Sequence, residues 1–230
     1  MREYTKNVSS FMERYRDVKT AQAMTRVSKY TLKFLGIRTI DLKNIFKTIF
    51  QNYPLPKYDD TKNIIREFFA MEEREFLYFG IALLAKRKKL WMKTDIVFIE
   101  SLLLTNPAWD TIEAITSELV SEFAKMYPTT AIEFLKSWSQ SKSPFLKAVA
   151  IMYQRKFKKD TDTEILQKFI MENMNTGDAL VNKAIGSALR DYSKTDYEWV
   201  TNFVVQNSSH LDKTAKQEAI KWINNKGLIK

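Results

Sequence analysis

In the stretch DTKNIIREFFAMEEREFLYFGIALLAKRKK, residues 60–89, apolar side chains recur at spacings of three and four. Ile64, Phe68 and Phe69 fall on one side of a helix that begins near Asp60, and Phe76, Phe79, Gly80 and Leu83 on one side of the next. The same spacing continues in both directions along the chain. It is interrupted at turn-forming clusters: Asn52-Tyr53-Pro54-Leu55-Pro56, Tyr127-Pro128, Ser141-Lys142-Ser143-Pro144 and Asn175-Thr176-Gly177. No alternation of the strand type persists beyond a few residues. The pattern predicts an all-α chain of about a dozen helices joined by short loops.

Small residues add a repeat to this pattern. Ala148-Val149-Ala150 and Ala184-Ile185-Gly186 lie 36 residues apart, and Gly80 precedes Ala150 by 70, about two such periods. Each sits mid-helix in an apolar stretch, where a small side chain lets a neighbouring helix approach. A period in the thirties to forties marks solenoids of paired helices; an ordinary helical bundle is the alternative.

Composition agrees. The chain has 230 residues, 45% of them hydrophobic, with only five Gly and five Pro, too few for an all-β fold with many tight turns. The formal net charge is +10, which favours a polyanionic partner such as nucleic acid or an anionic membrane surface. Cysteine is absent, which excludes disulfides and thiolate metal sites. His210 is the sole histidine, so a multi-histidine metal site is excluded as well. It lies in Ser208-Ser209-His210-Leu211-Asp212, which reads as a solvated loop before the last helix. The first residues, Met1 to Lys6, lack the apolar run of a signal peptide, and Phe76–Ala85 is about half the length that spans a bilayer. A soluble, cytoplasmic protein is expected.

Basic runs close several of these helices: Lys86-Arg87-Lys88-Lys89, Arg155-Lys156-Phe157-Lys158-Lys159, and Arg190 with Lys194. Each run singly fits the negative end of a helix dipole. Their shared polarity suggests more, because equivalent ends of stacked repeats lie on one side and add into a stripe suited to a phosphate backbone.

Four motifs then stand in order: Phe34-Leu35-Gly36-Ile37-Arg38-Thr39 with Leu42 and Lys43; Glu73-Arg74-Glu75-Phe76; Trp109-Asp110-Thr111-Ile112-Glu113; and Lys183-Ala184-Ile185-Gly186-Ser187-Ala188-Leu189-Arg190-Asp191-Tyr192. In this order and spacing the chain resembles the bacterial DNA alkylation-repair glycosylases built from HEAT-like repeats, the AlkD family. The resemblance runs from about Arg26 to the final helix. It implies one HEAT-like domain over residues 1–230, a right-handed superhelical solenoid whose concave face takes DNA. It further implies excision of cationic purines such as 7-methylguanine and 3-methyladenine, without base flipping, by a carboxylate that stabilises the developing sugar cation beside aromatic walls. The family needs no cofactor and no metal.

The site positions depart from the family. Its catalytic aspartate is Glu113 here, one methylene longer, and a displacement near 1 Å can cost on the order of a hundredfold in rate. Its site arginine falls at Ala148, beside Lys147; its second tryptophan falls at Ser187; a tyrosine commonly found near the first motif falls at Val27. Trp109 alone keeps its place. Because these changes gather on one site while the scaffold motifs survive, the expectation is a DNA-binding protein with little or no base excision. An active alkylpurine glycosylase using Glu113 is the alternative, and a solenoid scaffold for an acidic protein partner is a third. Arg38, Thr39 and Lys43 are expected near the DNA backbone, with Lys147, Lys156, Lys183, Arg190 and Lys194 as further phosphate contacts. Trp109 is expected to stack on a nucleotide and Asp110 to cap its helix within the same DNA-facing site. A monomer is the default.

Overall fold

The computed structural model describes residues 1–28 and 31–228. Its regular elements are helical, and the β pairing among the described residues is one isolated bridge between Lys33 and Glu73. The chain gathers into two compact units, Met1–Phe98 and Ile99–Lys230.

The first unit holds α1 (Glu3–Glu13), α2 (Val18–Val27), α3 (Thr39–Asn52), α4 (Tyr58–Phe69) and α5 (Arg74–Lys86), and ends within α6 (Asp95–Leu103). The apolar stripes of residues 60–89 are buried as expected: Ile64, Phe68, Phe69, Phe76, Phe79 and Leu83 all lie in the core. Gly80 brings α5 against α4, where an added Cβ would stand 3.2 Å from the Phe69 ring.

The first two sequence motifs meet in a single device. The Glu75 side chain, fully buried, accepts backbone N–H bonds from Leu35 at 2.8 Å, Gly36 at 2.9 Å and Ile37 at 3.1 Å. A buried carboxylate is tolerated only when its lone pairs are filled, and here three otherwise unpaired amides fill them. Gly36 is required for a second reason. Its φ is +91°, and an added Cβ would stand 2.2 Å from the Asp17 carbonyl oxygen at the start of α2. Glu75 on α5 thus fixes the loop that α2 packs upon.

The second unit holds α7 (Trp109–Ile115), a π-helical turn (Thr116–Val120), α8 (Ser121–Met126), α9 (Pro128–Ser139), α10 (Pro144–Met152), α11 (Thr163–Asn173), α12 (Ala179–Ser193), α13 (Tyr197–Gln206) and α14 (Lys213–Asn225). The polar breaks supply the helix starts. Ser143 accepts from the Leu146 amide, and Asp178 accepts from those of Leu180 and Val181. Pro128 and Pro144 open α9 and α10, where proline's missing donor costs nothing. The small residues act as their spacing predicts. Ala150 is fully buried in α10, and Gly186 lets α12 meet α14 so closely that a Cβ would stand 2.8 Å from Glu218 Cβ and 3.0 Å from the Ala215 carbonyl oxygen. His210 is exposed, with its ring near the Ser209 hydroxyl.

Glu75→Gln replaces one acceptor oxygen with an NH2 group facing backbone donors. It should cost about 2–4 kcal/mol in urea denaturation, whereas Glu72→Gln, whose carboxylate is mostly exposed, should stay within about 0.5 kcal/mol. Equal midpoints for the two variants would remove the Glu75 device from the stability of the unit.

Candidate nucleic-acid site

The site of the second unit begins where α7 begins. Ala108 is extended, at φ −148° and ψ 161°, and Trp109 is the first helical residue. This corrects one expectation: Asp110 does not cap the helix but lies in its first turn, where its charge still meets the positive end of the helix dipole. The N-cap is Ala108, and the hydroxyl of Thr111 reaches back to it, accepting from the Ala108 amide at 3.4 Å. Glu113 follows Trp109 by four residues and shares its side of the helix. One turn later the helix widens. The Thr116 hydroxyl donates to the Ile112 carbonyl at 2.6 Å, and the Ser121 hydroxyl lies 2.8 Å from the Thr116 carbonyl and 2.5 Å from that of Tyr153. Such π turns recur at functional sites. This one ties α7 to the turn that follows α10.

That turn carries Arg155. Its guanidinium donates to Glu113 Oε1 at 2.7 Å and to Asp191 Oδ2 at 2.5 Å, joining α7 to α12. Asp191 also receives the Lys194 ammonium at 2.7 Å and lies 3.7 Å from Arg190, which in turn pairs with Glu218 on α14. The result is a chain of alternating charge across three helices and one turn. Desolvation works to raise the Asp191 pKa, but the Lys194 hydrogen bond and the Arg155 charge outweigh it and hold the carboxyl below its ordinary range. Desolvation likewise works to lower the Arg155 pKa, and Glu113 and Asp191 outweigh it.

Lys183 completes the cluster. Its Nζ stands 4.0 Å from the centroid of the Trp109 ring, within cation–π range. Desolvation lowers its pKa, with Glu113 and Glu218 acting in the opposite direction. Among the described residues no carboxylate lies within ion-pair distance of it, whereas Arg155, Arg190 and Lys194 are each paired.

The other positions singled out in the sequence divide clearly. Trp109, Glu113, Lys183, Arg190 and Lys194 come together around Arg155 and Asp191. Ala148 is fully buried in α10 and Ser187 is buried in α12. Lys147 points into a polar network, donating to the Ser139 carbonyl at 3.2 Å and to Asn173 Oδ1 at 2.7 Å. Lys156 is exposed and pairs with Glu118 at 3.0 Å. In the first unit, Arg38 precedes α3 and pairs with Asp41, Thr39 is the first residue of that helix, and Lys43 lies exposed one turn on. Val27 ends α2 with most of its surface exposed. The guanidinium beside Glu113 therefore comes from Arg155 and not from the neighbourhood of Ala148. Arg155 appeared in the sequence only as one of five residues in a basic run. Nothing in that run distinguishes it, since its partners are 42 and 36 residues away.

Charge is unequally divided between the units. Residues 1–98 contain 20 Lys and Arg against 11 Asp and Glu, and residues 99–230 contain 17 against 16. Nearly the whole surplus belongs to the first unit, while the cations of the second are matched by carboxylates.

No helix among the described residues is long and apolar enough to cross a membrane, and no group of three or more potential metal ligands comes together among them.

The all-α fold and the family that the sequence resembles agree with the comparisons. The DNA alkylation repair enzyme family matches residues 8–223, nearly the full chain, and the protein belongs to that family. A solved structure described as a predicted DNA alkylation repair enzyme from Enterococcus faecalis has the same fold. Its TM-score is 0.82 at 22% identity, and the match covers 90% of this chain and 96% of that one. No curated protein sequence matches the chain.

Asp191→Asn tests the charge chain. The depressed pKa means that the stabilisation is present above the ordinary aspartate value of 3.8 and is lost as pH falls through the lower folded-state value. At neutral pH the variant should be about 1–3 kcal/mol less stable than the parent, and the gap should close in acid below that value. A gap that does not change with pH would show that ionised Asp191 contributes nothing to it.

Proposed function

We propose that the protein binds duplex DNA, chiefly through phosphate contacts and with little sequence preference, and that it excises bases slowly or not at all. One observation carries the second half. Both groups that would meet a departing cationic purine are already engaged by cations of the chain itself: Arg155 holds the Glu113 carboxylate at 2.7 Å, and Lys183 covers the Trp109 ring at 4.0 Å. Stabilising a developing positive charge needs an anion whose field is not already neutralised. A carboxylate bound to a guanidinium offers much less of it, and a covered indole must first shed its occupant. The altered positions Glu113, Ala148, Ser187 and Val27 support the same reading.

Phosphate binding draws on the charge surplus of residues 1–98, with Arg38, Thr39 and Lys43 as its nearest contacts at the start of α3. Lys156, Arg190 and Lys194 contribute from the second unit to the extent that phosphate displaces their carboxylate partners, and Lys183, whose contact is the Trp109 ring, contributes without such an exchange. The protein acts as a monomer in the cytoplasm, without cofactor or metal. Family membership favours a second reading, an N3- or N7-alkylpurine glycosylase that uses Glu113.

Single-turnover release of 7-methylguanine from a lesion-bearing duplex, with protein in excess and shown to be bound, separates the two. Release at the spontaneous rate is the expected outcome. Release well above it, abolished by Glu113→Gln, would make Glu113 a working replacement for the family's aspartate. Binding itself should weaken steeply with salt, and Arg38→Ala with Lys43→Ala should reduce the slope of log K against log salt by about 2. An unchanged slope would remove these two residues from the contact surface.

A further inference from the structure

Of the cations around Glu113, Lys183 alone is committed to an aromatic face and to no carboxylate, and its residue is exposed to solvent. Its amine therefore occupies a face of the Trp109 ring, the ring on which a base would stack in the DNA-binding reading. A nucleotide that still carries its base must displace the amine to reach the indole. A nucleotide that has lost its base makes no such demand, which leaves the amine available for reaction with the sugar.

From this placement we infer that Lys183 captures abasic sites in DNA, its Nζ forming an imine with the C1′ aldehyde of the ring-opened deoxyribose. The inference rests on the DNA-binding reading above. The step balances without any further reagent. The ammonium first gives a proton to solvent, and the freed lone pair attacks C1′ to form a carbinolamine. The carbinolamine hydroxyl leaves as water, and a C1′=Nζ double bond remains. No oxidation is involved, and water reverses the capture. Partial burial of Lys183 lowers its pKa toward the neutral amine that the attack requires, while Glu113 and Glu218 restrain the effect. Arg155, the other cation bound to Glu113, is a guanidinium and cannot take this role.

The test uses the full chain and a short duplex bearing one abasic site, with cyanoborohydride to reduce any imine to a stable amine. Binding of the same duplex is followed in parallel by fluorescence anisotropy, and the cross-linked residue is mapped by peptide mass spectrometry. The expected result is a covalent adduct at Lys183 that forms faster as pH rises. In Lys183→Arg, which keeps a cation over Trp109 and so should keep the fold, the adduct formed per bound duplex should fall at least about tenfold. An undiminished adduct in that variant, or one mapped to another amine such as the N-terminus, overturns the inference. So does a bound duplex with no adduct, which leaves the DNA-binding reading standing. Absence of binding at low salt overturns both. An adduct equally abundant on an intact duplex cannot arise through this chemistry and would count against it.

Discussion

A single guanidinium holds the second unit's site in register. Arg155 lies on a turn, not on a helix, and reaches one carboxylate on α7 and another on α12. Charge-assisted bonds of this kind are short and directional, and the planar fork of arginine fixes the direction of both partners. Removing either carboxylate would leave a largely buried cation short of a partner, which is more costly than the pair is favourable. Glu113 is consequently no free side chain. The arginine that meets it arrives from the turn after α10 and not from the body of that helix. Lys147, the nearest cation in sequence to Ala148, is spent on Ser139 and Asn173.

The same local logic explains which parts of the molecule were legible in the sequence. Helical stripes depend on neighbours three and four residues apart, so residues 60–89 disclosed their core face directly. Small residues in apolar helices announced close approach, and Gly186 against Ala215 and Glu218 is such an approach. The first two motifs were legible as motifs but not as one device, because the bonds from Leu35, Gly36 and Ile37 to Glu75 span 38 to 40 residues. The partners of Arg155 are equally remote. A run such as Arg155–Lys159 looks uniform in sequence, but the turn that contains it sends each side chain in its own direction. Helix periodicity says nothing about such turns. The start of α7 differs for a smaller reason: Asp110 is a good capping residue, but the backbone becomes helical two residues too early for it to serve.

Net charge carried less positional information than it promised. Basic runs at the ends of helices suggested a stripe, yet in the second unit these cations sit among carboxylates. Lys156 faces Glu118, Lys194 faces Asp191, and Arg190 faces Glu218. Equal and interleaved charges cancel within about a Debye length, roughly 8–10 Å at ordinary salt, so such a surface attracts a polyanion weakly from afar. Residues 1–98 carry a surplus that does not cancel. A long-range field that favours polyanions therefore originates in the first unit.

This separation bears on what the cluster around Arg155 can do. A site that contributes little to capture need not keep its charges exposed, and can hold them in pairs until a ligand of the right shape arrives. Phosphate would have to compete with Glu218 for Arg190 and with Asp191 for Lys194, each exchange trading one charge-assisted contact for another at small net gain. The Trp109 face poses a different kind of competition. There the occupant is a cation on an aromatic ring, a contact worth about 0.5–2 kcal/mol, and base stacking on an aromatic is worth about 1–3 kcal/mol. The two are close enough that the presence or absence of a base decides which of them holds the ring. On the proposed reading, discrimination at this site is a matter of occupancy of one indole face, set by Lys183, while Glu113 anchors the arginine that joins α7 to α12.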